Sequence, residues 1–594
     1  MSVVLARAYL SPTLVLLAMD WPDGATRAEF LGFAIKRTPG FKDLATGTVA
    51  SQSWLPNRLS FAGPPAAGQP DFASNVAPIQ KFMWWDARLE GVAAGASLRY
   101  EVTPVCGNSA APALVTADAT TLSVTMPDHE EKGIGTWFNR AVMSSQAFSR
   151  QVDALNLAPG TKPNAAQALT LYSWLANGME RPIPGFIAAA ADSIAGAIYH
   201  LTDTIWIIPA LKTQMKQSSI GLVYDSNVTK DKKGNELPNP NEGTINTLKD
   251  VTFFGRDATN IMHNKYLVRG QKLLTKTQGA PAALTCGSAN YTTEGLTSQA
   301  NLVHTVDSPN LAALYYERFQ LLHGNPSVTA TKAKQTGWSH TVSIGDAGIR
   351  VFFSPEKGSP GDDSASIETI VQAVHAARSS VIFCLFTPTD ALLREACFAV
   401  GDAGKMMFGL VNHLARTEPT TKPTSTGKIP ADQIAALELF HRSRDAKDTI
   451  GAEFFGGDNL PASFEPEYNL FPGSKPPGYP PVIIHHKFIV IDAETDSPII
   501  YTGSANMSGN SVFNNDENLL EITGSPRLAQ IYLSEFLRLY EHYRARAHYI
   551  AWKQSGQPAA TLGFALTTDR SWAAKHYKPG TPEFKARLRM LSVV

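Results

Sequence analysis

An internal duplication constrains the fold of this 594-residue chain more than any other feature of its sequence. Each copy has a histidine and a lysine two positions apart, followed further along by Gly-Ser-Ala-Asn. The two copies are His263-Asn-Lys265 with Gly287–Asn290, and His485-His-Lys487 with Gly503–Asn506. A repeated pattern of this kind indicates two similar structural halves that pack together to complete one core.

The residues that precede each motif also repeat, in the order helix, strand, helix, strand. The predicted strands are 197–201, 220–224, 350–353, 381–386 and 406–411. Strands that alternate with helices predict an α/β fold with mostly parallel sheets covered by helices. We therefore expect two duplicated halves, residues 128–345 and residues 346–554.

The residues outside these halves have a different pattern. Residues 1–127 contain short β-branched and aromatic runs separated by Gly and Pro turns, which is typical of an all-β sandwich. Residues 89–104 resemble the corner and sixth strand of a fibronectin type III domain, and Tyr100 would be its corner tyrosine. Residues 555–594 are expected to form a C-terminal extension packed on the domain that the two halves form.

The spacing of the motif brings its polar side chains together. Residues i and i+2 of a strand point to the same face, so each His-x-Lys presents an imidazole beside an ammonium group. The glycine of Gly-Ser-x-Asn lets the backbone approach a ligand closely. Lysine and amide donors suit the nonbridging oxygens of a phosphate, and two histidines allow one nucleophile and one general acid. We expect both halves of one chain to complete a single phosphate site, so a monomer suffices.

These residues resemble the signature of the phospholipase D superfamily, which is His-x-Lys-x(4)-Asp with Gly-Ser-x-Asn and a later glutamate. The second half matches it in full, with Asp492 and Glu517 in the last two places. The first half departs from it, because Gly270 replaces the aspartate and Gln299 lies near the place of the glutamate. The tyrosyl-DNA phosphodiesterase branch of the superfamily resembles the first half in both respects.

The resemblance implies a metal-independent phosphodiesterase that hydrolyses or transfers a phosphatidyl group through a phosphohistidine, without a metal or cofactor. The implied catalytic residues are His263, His485, Lys265, Lys487, Asn290, Asn506 and Glu517, and the implied supporting residues are Ser288, Ser504, Asp492 and Gln299. Glu517 belongs to the same half as His485, so we expect this carboxylate to raise the pKa of His485. His485 would then be the general acid, and His263 the nucleophile.

The sequence leaves the substrate class open. Lys and Arg total 52, as do Asp and Glu; this balance and the apolar loop 464–481 favour a phospholipid over nucleic acid. A nuclease or DNA-adduct phosphodiesterase would use the same site, and an inactive phosphate-binding protein is a third alternative. Residues 225–244 and 456–481 precede the two motif strands, and we expect these loops to overhang the site.

Other features bound the cellular context. The four cysteines lack C-x-x-C spacing, so neither a disulfide framework nor a zinc site is expected. No apolar run reaches the ~18 residues of a transmembrane helix. The apolar stretch 12–19 has no cleavage site after it, so we expect a cytoplasmic protein, with non-classical secretion as the alternative.

Overall fold

The computed structural model describes residues 3–43, 45–65, 69–143, 145–157, 162–231, 233–275, 279–452, 482–556 and 565–591. The strands of the N-terminal part are β1 (Leu5–Ser11), β2 (Leu14–Asp20), β3 (Phe30–Thr38), β4 (Ser53–Trp54), β5 (Pro56–Asn57), β6 (Phe72–Ala73), β7 (Met83–Asp86), β8 (Ser97–Asn108), β9 (Ala111–Leu114) and β10 (Thr120–Thr125). The runs 14–21, 30–37, 81–89, 98–105 and 121–126, which the sequence predicts as strands, lie within a few residues of β2, β3, β7, β8 and β10.

Eight of the N-terminal strands form two facing sheets, and β5 and β6 form a separate two-stranded sheet. One has the order β1-β2-β7, and the other has the order β10-β8-β3-β4 with β9 paired to β8. Leu17 and Phe33 come from different sheets and are buried in the same cluster, as in a sandwich. Tyr100 on β8 is also buried there, and its hydroxyl donates to the Asp86 carboxylate at 2.8 Å rather than to a backbone group.

Each duplicated half carries a larger set of elements. The first half has strands β11 (Glu130–Glu131), β12 (Ile134–Phe138), β13 (Ser193–Ile198), β14 (Ser219–Asp225), β15 (Thr229–Lys230), β16 (Glu236–Leu237), β17 (Val251–Arg256), β18 (Lys265–Gln271), β19 (Ala280–Gly287) and β20 (Leu302–Val306). Its helices are α1 (Gln146–Ala154), α2 (Ala165–Ala176), α3 (Pro182–Ala188), α4 (Ile207–Gln214), α5 (Glu242–Thr247), α6 (Thr293–Leu296), α7 (Pro309–Leu322) and α8 (Val328–Ala333).

The second half repeats this plan and leads into the C-terminal helices. Its strands are β21 (Val342–Ile344), β22 (Ala347–Phe353), β23 (Ser380–Leu385), β24 (Met406–Val411), β25 (Thr449–Gly451), β26 (Lys487–Ile491), β27 (Ile499–Gly503) and β28 (Asn518–Thr523). The remaining helices are α9 (Ala365–His375), α10 (Ala391–Asp402), α11 (Ala431–Asp445), α12 (Gly509–Phe513), α13 (Pro526–Gln554), α14 (Ala574–Tyr577) and α15 (Pro582–Met590).

The two halves have the same sheet topology. One eight-stranded sheet has the order β11-β12-β20-β19-β18-β13-β14-β17, and the other has the order β21-β22-β28-β27-β26-β23-β24-β25. Only the last two pairings of each sheet are parallel. The expectation of mostly parallel sheets is therefore wrong. Helix–strand alternation covers only strands β13, β14 and β17 in the first half and β23, β24 and β25 in the second, whereas the motif strands β18 and β26 pair antiparallel with their neighbours on both sides.

Helices α7 and α13 pack into a core that both sheets share. Tyr315 and Tyr532 on these helices are buried in one cluster with Val268 and Val490, which come from the two motif strands. Both helices start in the same way, with a serine that accepts a backbone N–H and a proline in the first turn. The duplicated Ser-Pro sequence thus sets the start of the two central helices.

The flanking segments pack against this core. In the C-terminal segment, Ala573 is buried in the sandwich core and Met590 in the core of the two halves. The loop 225–244 contains the hairpin β15–β16, whereas the predicted loop 456–481 lies outside the described residues. All four cysteines are unpaired and buried. Among the described residues, no helix is both long and apolar enough to span a membrane.

Candidate active site

The two motif histidines lie where the halves meet. Each lies two residues before the start of its motif strand, and its backbone is hydrogen-bonded to the other half. The His263 N–H donates to the Asp516 carbonyl at 2.9 Å, and the His485 N–H donates to the Ala300 carbonyl at 3.0 Å. This reciprocal pairing fixes both residues at the junction of the two sheets.

The imidazoles of His263 and His485 face each other. Their ring centroids are 6.3 Å apart, and each residue is only 7% exposed. The separation is within the ~8 Å that lets two rings flank one phosphorus in near-attack geometry. The structure thus brings together the two residues that the sequence predicts to react.

Glu517 contacts His263, not the histidine of its own half. Its Oε2 lies 2.8 Å from His263 Nδ1, and its Oε1 accepts from the Ser511 hydroxyl at 2.8 Å. The expectation that Glu517 raises the pKa of His485 is therefore wrong, because the halves exchange partners across their junction. Burial still lowers the pKa of His263 to about 4, although Glu517 opposes this shift. His263 is neutral at pH 7, and a proton on Nδ1 leaves Nε2 as a free base.

The partner of His485 is an amide that the sequence did not single out. Asn301 Oδ1 lies 2.9 Å from His485 Nδ1. Asn301 is the counterpart of Glu517, because the backbone N–H of the next residue in each half bonds the Gly-Ser-x-Asn serine. The sequence alignment that put Gln299 near the position of Glu517 is therefore wrong by two residues. The Gln299 side-chain oxygen is buried without a hydrogen bond in the described structure. The backbone carbonyl of Gln299 accepts a hydrogen bond from the Asn139 side chain.

His485 is also held neutral. Burial lowers its pKa well below the ordinary value, and the charges of Lys487 and Lys265 add to the shift. An amide partner supplies no charge to offset this. The two histidines thus have unequal surroundings, with a carboxylate at one and an amide at the other.

Both motif lysines are buried beside the histidines. Lys265 Nζ donates to the His263 carbonyl at 2.6 Å, and Lys487 Nζ donates to the His485 carbonyl at 2.7 Å. Burial lowers the pKa of Lys487 to about 7 and that of Lys265 well below its usual value, with Lys487 contributing to the second shift. Two ammonium groups this close favour an anion between them, because it offsets both desolvation and mutual repulsion.

Asn290 and Asn506 supply amides without partners. The side-chain oxygen of each is buried with no hydrogen bond to any described residue. Buried polar atoms are normally satisfied, so two matching exceptions in the two copies of the motif indicate amides available to a ligand. An anionic ligand would meet the NH₂ end of each amide.

The serines of Gly-Ser-x-Asn act within the protein. Ser288 Oγ donates to Asn301 Oδ1 at 2.8 Å, and Ser504 Oγ accepts from the Asn518 N–H at 3.0 Å. Both are fully buried, and these hydrogen bonds let them position the following strand; their support of a bound phosphate stays a prediction. The preceding glycine has a related role: a Cβ on Gly287 would lie 2.3 Å from the Leu302 carbonyl oxygen. The close approach is between strands, not to a ligand.

Asp492 and His486 lie away from the reacting groups. Asp492 follows the far end of β26 and accepts backbone N–H groups of residues 378–380. A strand rises ~3.3 Å per residue, so Asp492 is ~16 Å along β26 from Lys487. Asp492 was expected to support the site, but in the structure it accepts backbone N–H groups that lie far from the reacting groups. His486 points to the opposite face and packs against Phe138 and Phe488, as its place in the strand predicts.

Three aromatic residues at the site were not singled out from the sequence. Tyr199 and Phe386 occupy matching places directly after β13 and β23, and their rings contact His263 and His485 at 5.1 and 5.8 Å. His200 stacks on Tyr199 with centroids 3.9 Å apart. Their position in the sequence could have predicted them, because they lie at the end of a strand that pairs with a motif strand.

The site holds histidines, lysines and amides around one point, with a single carboxylate hydrogen-bonded to a histidine. No group of three or more His, Cys, Asp or Glu side chains within the described ranges is arranged to hold a metal ion. The chemistry available from these side chains is nucleophilic attack, proton transfer and anion binding.

Comparison with known proteins agrees with this chemistry. Residues 468–540 match the family model described as "Cardiolipin synthase, PLD-like domain", and this stretch contains the second motif and Glu517. No curated protein matches the chain.

Similar solved structures include three from bacteria and yeast. Phosphatidylserine synthase from Haemophilus influenzae Rd KW20 is 12% identical over 64% of this chain and 92% of its own, with a TM-score of 0.40. Nuc from Salmonella typhimurium, a phospholipase D family member, is 17% identical over 33% of this chain and 95% of its own, with a TM-score of 0.21. Yeast tyrosyl-DNA phosphodiesterase is 8% identical over 58% of this chain and 86% of its own, with a TM-score of 0.31. These scores are too low to carry an argument, and the match at residues 468–540 supports a phospholipase D-like domain in that part of the chain.

Proposed function

We propose that the chain is a phosphodiesterase that works through a phosphohistidine, with the phosphatidyl group of a phospholipid as its main candidate substrate. The observation that carries the proposal is the facing pair His263 and His485, 6.3 Å apart. Each ring uses Nδ1 for a partner and leaves Nε2 without a hydrogen bond to the described residues. Two free Nε2 atoms on neighbouring rings, with a buried lysine beside each histidine, suit in-line displacement at phosphorus.

In the first step, the lone pair of His263 Nε2 attacks phosphorus. The bond between phosphorus and the leaving oxygen breaks, and that oxygen takes a proton from Nε2 of His485 in its imidazolium form, which the negative charge of the bound phosphate favours over the neutral ring that burial favours. Glu517 accepts the Nδ1–H of His263 and stabilises the positive charge that the ring gains when it is phosphorylated. The carboxylate therefore supports His263 as nucleophile, a reason that differs from the one drawn from the sequence.

In the second step, His485 takes a proton from water or an alcohol, whose oxygen attacks phosphorus. The phosphorus–nitrogen bond breaks and His263 recovers its lone pair. Lys265 and Lys487 neutralise the nonbridging oxygens in both steps, and Asn290 and Asn506 donate to them. Water as acceptor gives hydrolysis, and an alcohol gives transfer; neither step is assigned a metal.

A nuclease or DNA-adduct phosphodiesterase is the second candidate. The amide of Asn301 occupies the place where the other half has Glu517, and the tyrosyl-DNA phosphodiesterase branch likewise has an amide in its first copy. The equal numbers of acidic and basic residues favour the phospholipid. A non-catalytic phosphate-binding protein would not need two histidines with free Nε2 atoms.

The test begins with the purified full chain and bis-p-nitrophenyl phosphate. We expect turnover that His263→Ala abolishes, and an inactive wild-type protein that still binds phosphate would favour the binding protein. Phosphatidylcholine vesicles and single-stranded DNA are then compared side by side. Cleavage of DNA alone, with binding that weakens steeply as salt is added, would favour the nuclease.

A further inference from the structure

The site has an asymmetry that the duplicated motifs do not explain. The register of β13 on β18 matches that of β23 on β26, so Tyr199-His200 in the first half corresponds to Phe386-Thr387 in the second. The first half thus adds a third imidazole beside the reacting histidines, whereas the second half has an exposed threonine in that place.

The backbone around His200 is firmly held. The Tyr199 N–H donates to the Asn264 carbonyl at 2.9 Å, and the Tyr291 N–H donates to the His200 carbonyl at 3.0 Å. Asn241 Nδ2 donates to the Tyr199 carbonyl at 3.0 Å. Residues 264 and 291 adjoin Lys265 and Asn290, so His200 is tied to the same backbone that places the phosphate-binding groups.

The His200 ring has hydrogen-bonding capacity to spare. It stacks on Tyr199, whose own ring contacts His263, and neither of its nitrogens bonds to a described residue. Burial, with smaller contributions from Lys265 and His263, lowers the pKa of His200 to about 4. At pH 7 the half-buried ring is neutral and offers one N–H donor and one acceptor.

We infer that His200 is a specificity-determining residue that hydrogen-bonds the non-leaving alcohol of the phosphodiester. This inference rests on the proposed function. In-line displacement puts the leaving oxygen opposite the nucleophile, on the His485 side. The retained alcohol projects from phosphorus away from the axis that joins His263 to the leaving oxygen. His200, which stacks on Tyr199 beside His263 and away from the leaving-group end, is placed to meet it. The chemistry it recognises is an alcohol with hydrogen-bonding oxygens near the phosphate, as in a glycerolipid or a nucleoside.

The test uses substrates with one leaving group and different retained alcohols. The p-nitrophenyl esters of phosphorylcholine, thymidine 5′-phosphate and phosphatidic acid all release p-nitrophenolate. Choline has no hydrogen-bonding oxygen beyond its ester, whereas the other two alcohols do. His200→Ala should lower kcat/KM for thymidine or diacylglycerol about 2- to 10-fold relative to choline, the usual effect of one lost hydrogen bond. Of thymidine and diacylglycerol, the one whose kcat/KM falls more in His200→Ala identifies whether the retained alcohol is a nucleoside or a glycerolipid.

Matched variants separate recognition from folding. His200→Phe keeps an aromatic ring on Tyr199 without a donor and should behave like His200→Ala, whereas His200→Asn should recover part of the preference. Thr387→Ala, at the corresponding place in the second half, should leave the ratio unchanged. Equal losses on all esters in His200→Ala, or wild-type ratios in His200→Phe, would overturn the inference. A wild-type protein that hydrolyses none of the esters would overturn the proposed function and the inference together.

Discussion

Glu517 and His263 form a buried hydrogen-bonded pair across the junction of the halves. The neutral ring becomes positively charged when it attacks phosphorus, so replacing the carboxylate tests the proposed roles directly. Glu517→Gln keeps an oxygen 2.8 Å from His263 Nδ1 but removes the negative charge. At an effective dielectric constant of ~20 a pair of charges ~4 Å apart interacts by about 4 kcal/mol. Exchanging a charge-assisted hydrogen bond for a neutral one costs about 1–2 kcal/mol. We take about 2–4 kcal/mol as the loss of transition-state stabilisation, which is a fall of about 30- to 1000-fold in rate.

The assay is the pre-steady-state burst of p-nitrophenolate from bis-p-nitrophenyl phosphate. This leaving group needs little protonation, so the burst reports attack by the nucleophile. Glu517→Gln should slow the burst by the factor above, whereas Asn301→Ala, which removes a neutral partner of His485, should slow it by no more than about 10-fold. A burst rate within threefold of the wild type in Glu517→Gln refutes the reasoning. A normal burst followed by slow turnover would instead make His263 the acid.

Four further outcomes are expected. Because kcat/KM reports the free enzyme, it should fall below pH about 4, where His263 gains a proton, and above pH about 7, where Lys487 loses its charge; a kcat/KM that stays constant below pH about 4 or above pH about 7 contradicts the corresponding assignment. His485→Ala should leave phosphate covalently on His263 in mass spectra, and label on His485 in the wild type would reverse the roles. Turnover should survive EDTA, so a loss that one divalent cation restores would contradict a metal-independent reaction. Asp492→Ala should lower the free energy of unfolding in urea by about 1–3 kcal/mol and leave kcat/KM within twofold, because Asp492 caps backbone N–H groups far from the site.

The sequence predicts those parts of the site that depend on local geometry. His263 and Lys265 are two positions apart, and the two-residue period of a strand places both side chains on one face. The same period predicts that His486 points away. The repetition of the motif predicts a shared site, and the facing imidazoles confirm that the two copies meet.

The sequence could not predict which groups become partners. Glu517 and His263 are 254 positions apart, and nothing local distinguishes this contact from one with His485. The place of Asn301 was missed because the first half lacks a carboxylate, so the alignment had no fixed point. The prediction of mostly parallel sheets was wrong for a related reason. Helix–strand alternation correctly indicates that β13 and β14 are parallel, but it says nothing about the motif strand β18, which pairs antiparallel with β13.

The exchange of partners explains why the duplication is kept within one chain. Each histidine has its Nδ1 partner and its backbone acceptor in the other half: Glu517 and Asp516 for His263, and Asn301 and Ala300 for His485. A single half would present a histidine with neither its orientation nor its tautomer fixed. Fusion of the halves allows the two partners to differ, which two identical subunits could not do. Because only one half carries the carboxylate, the site can hold one histidine as nucleophile and leave the other to move protons.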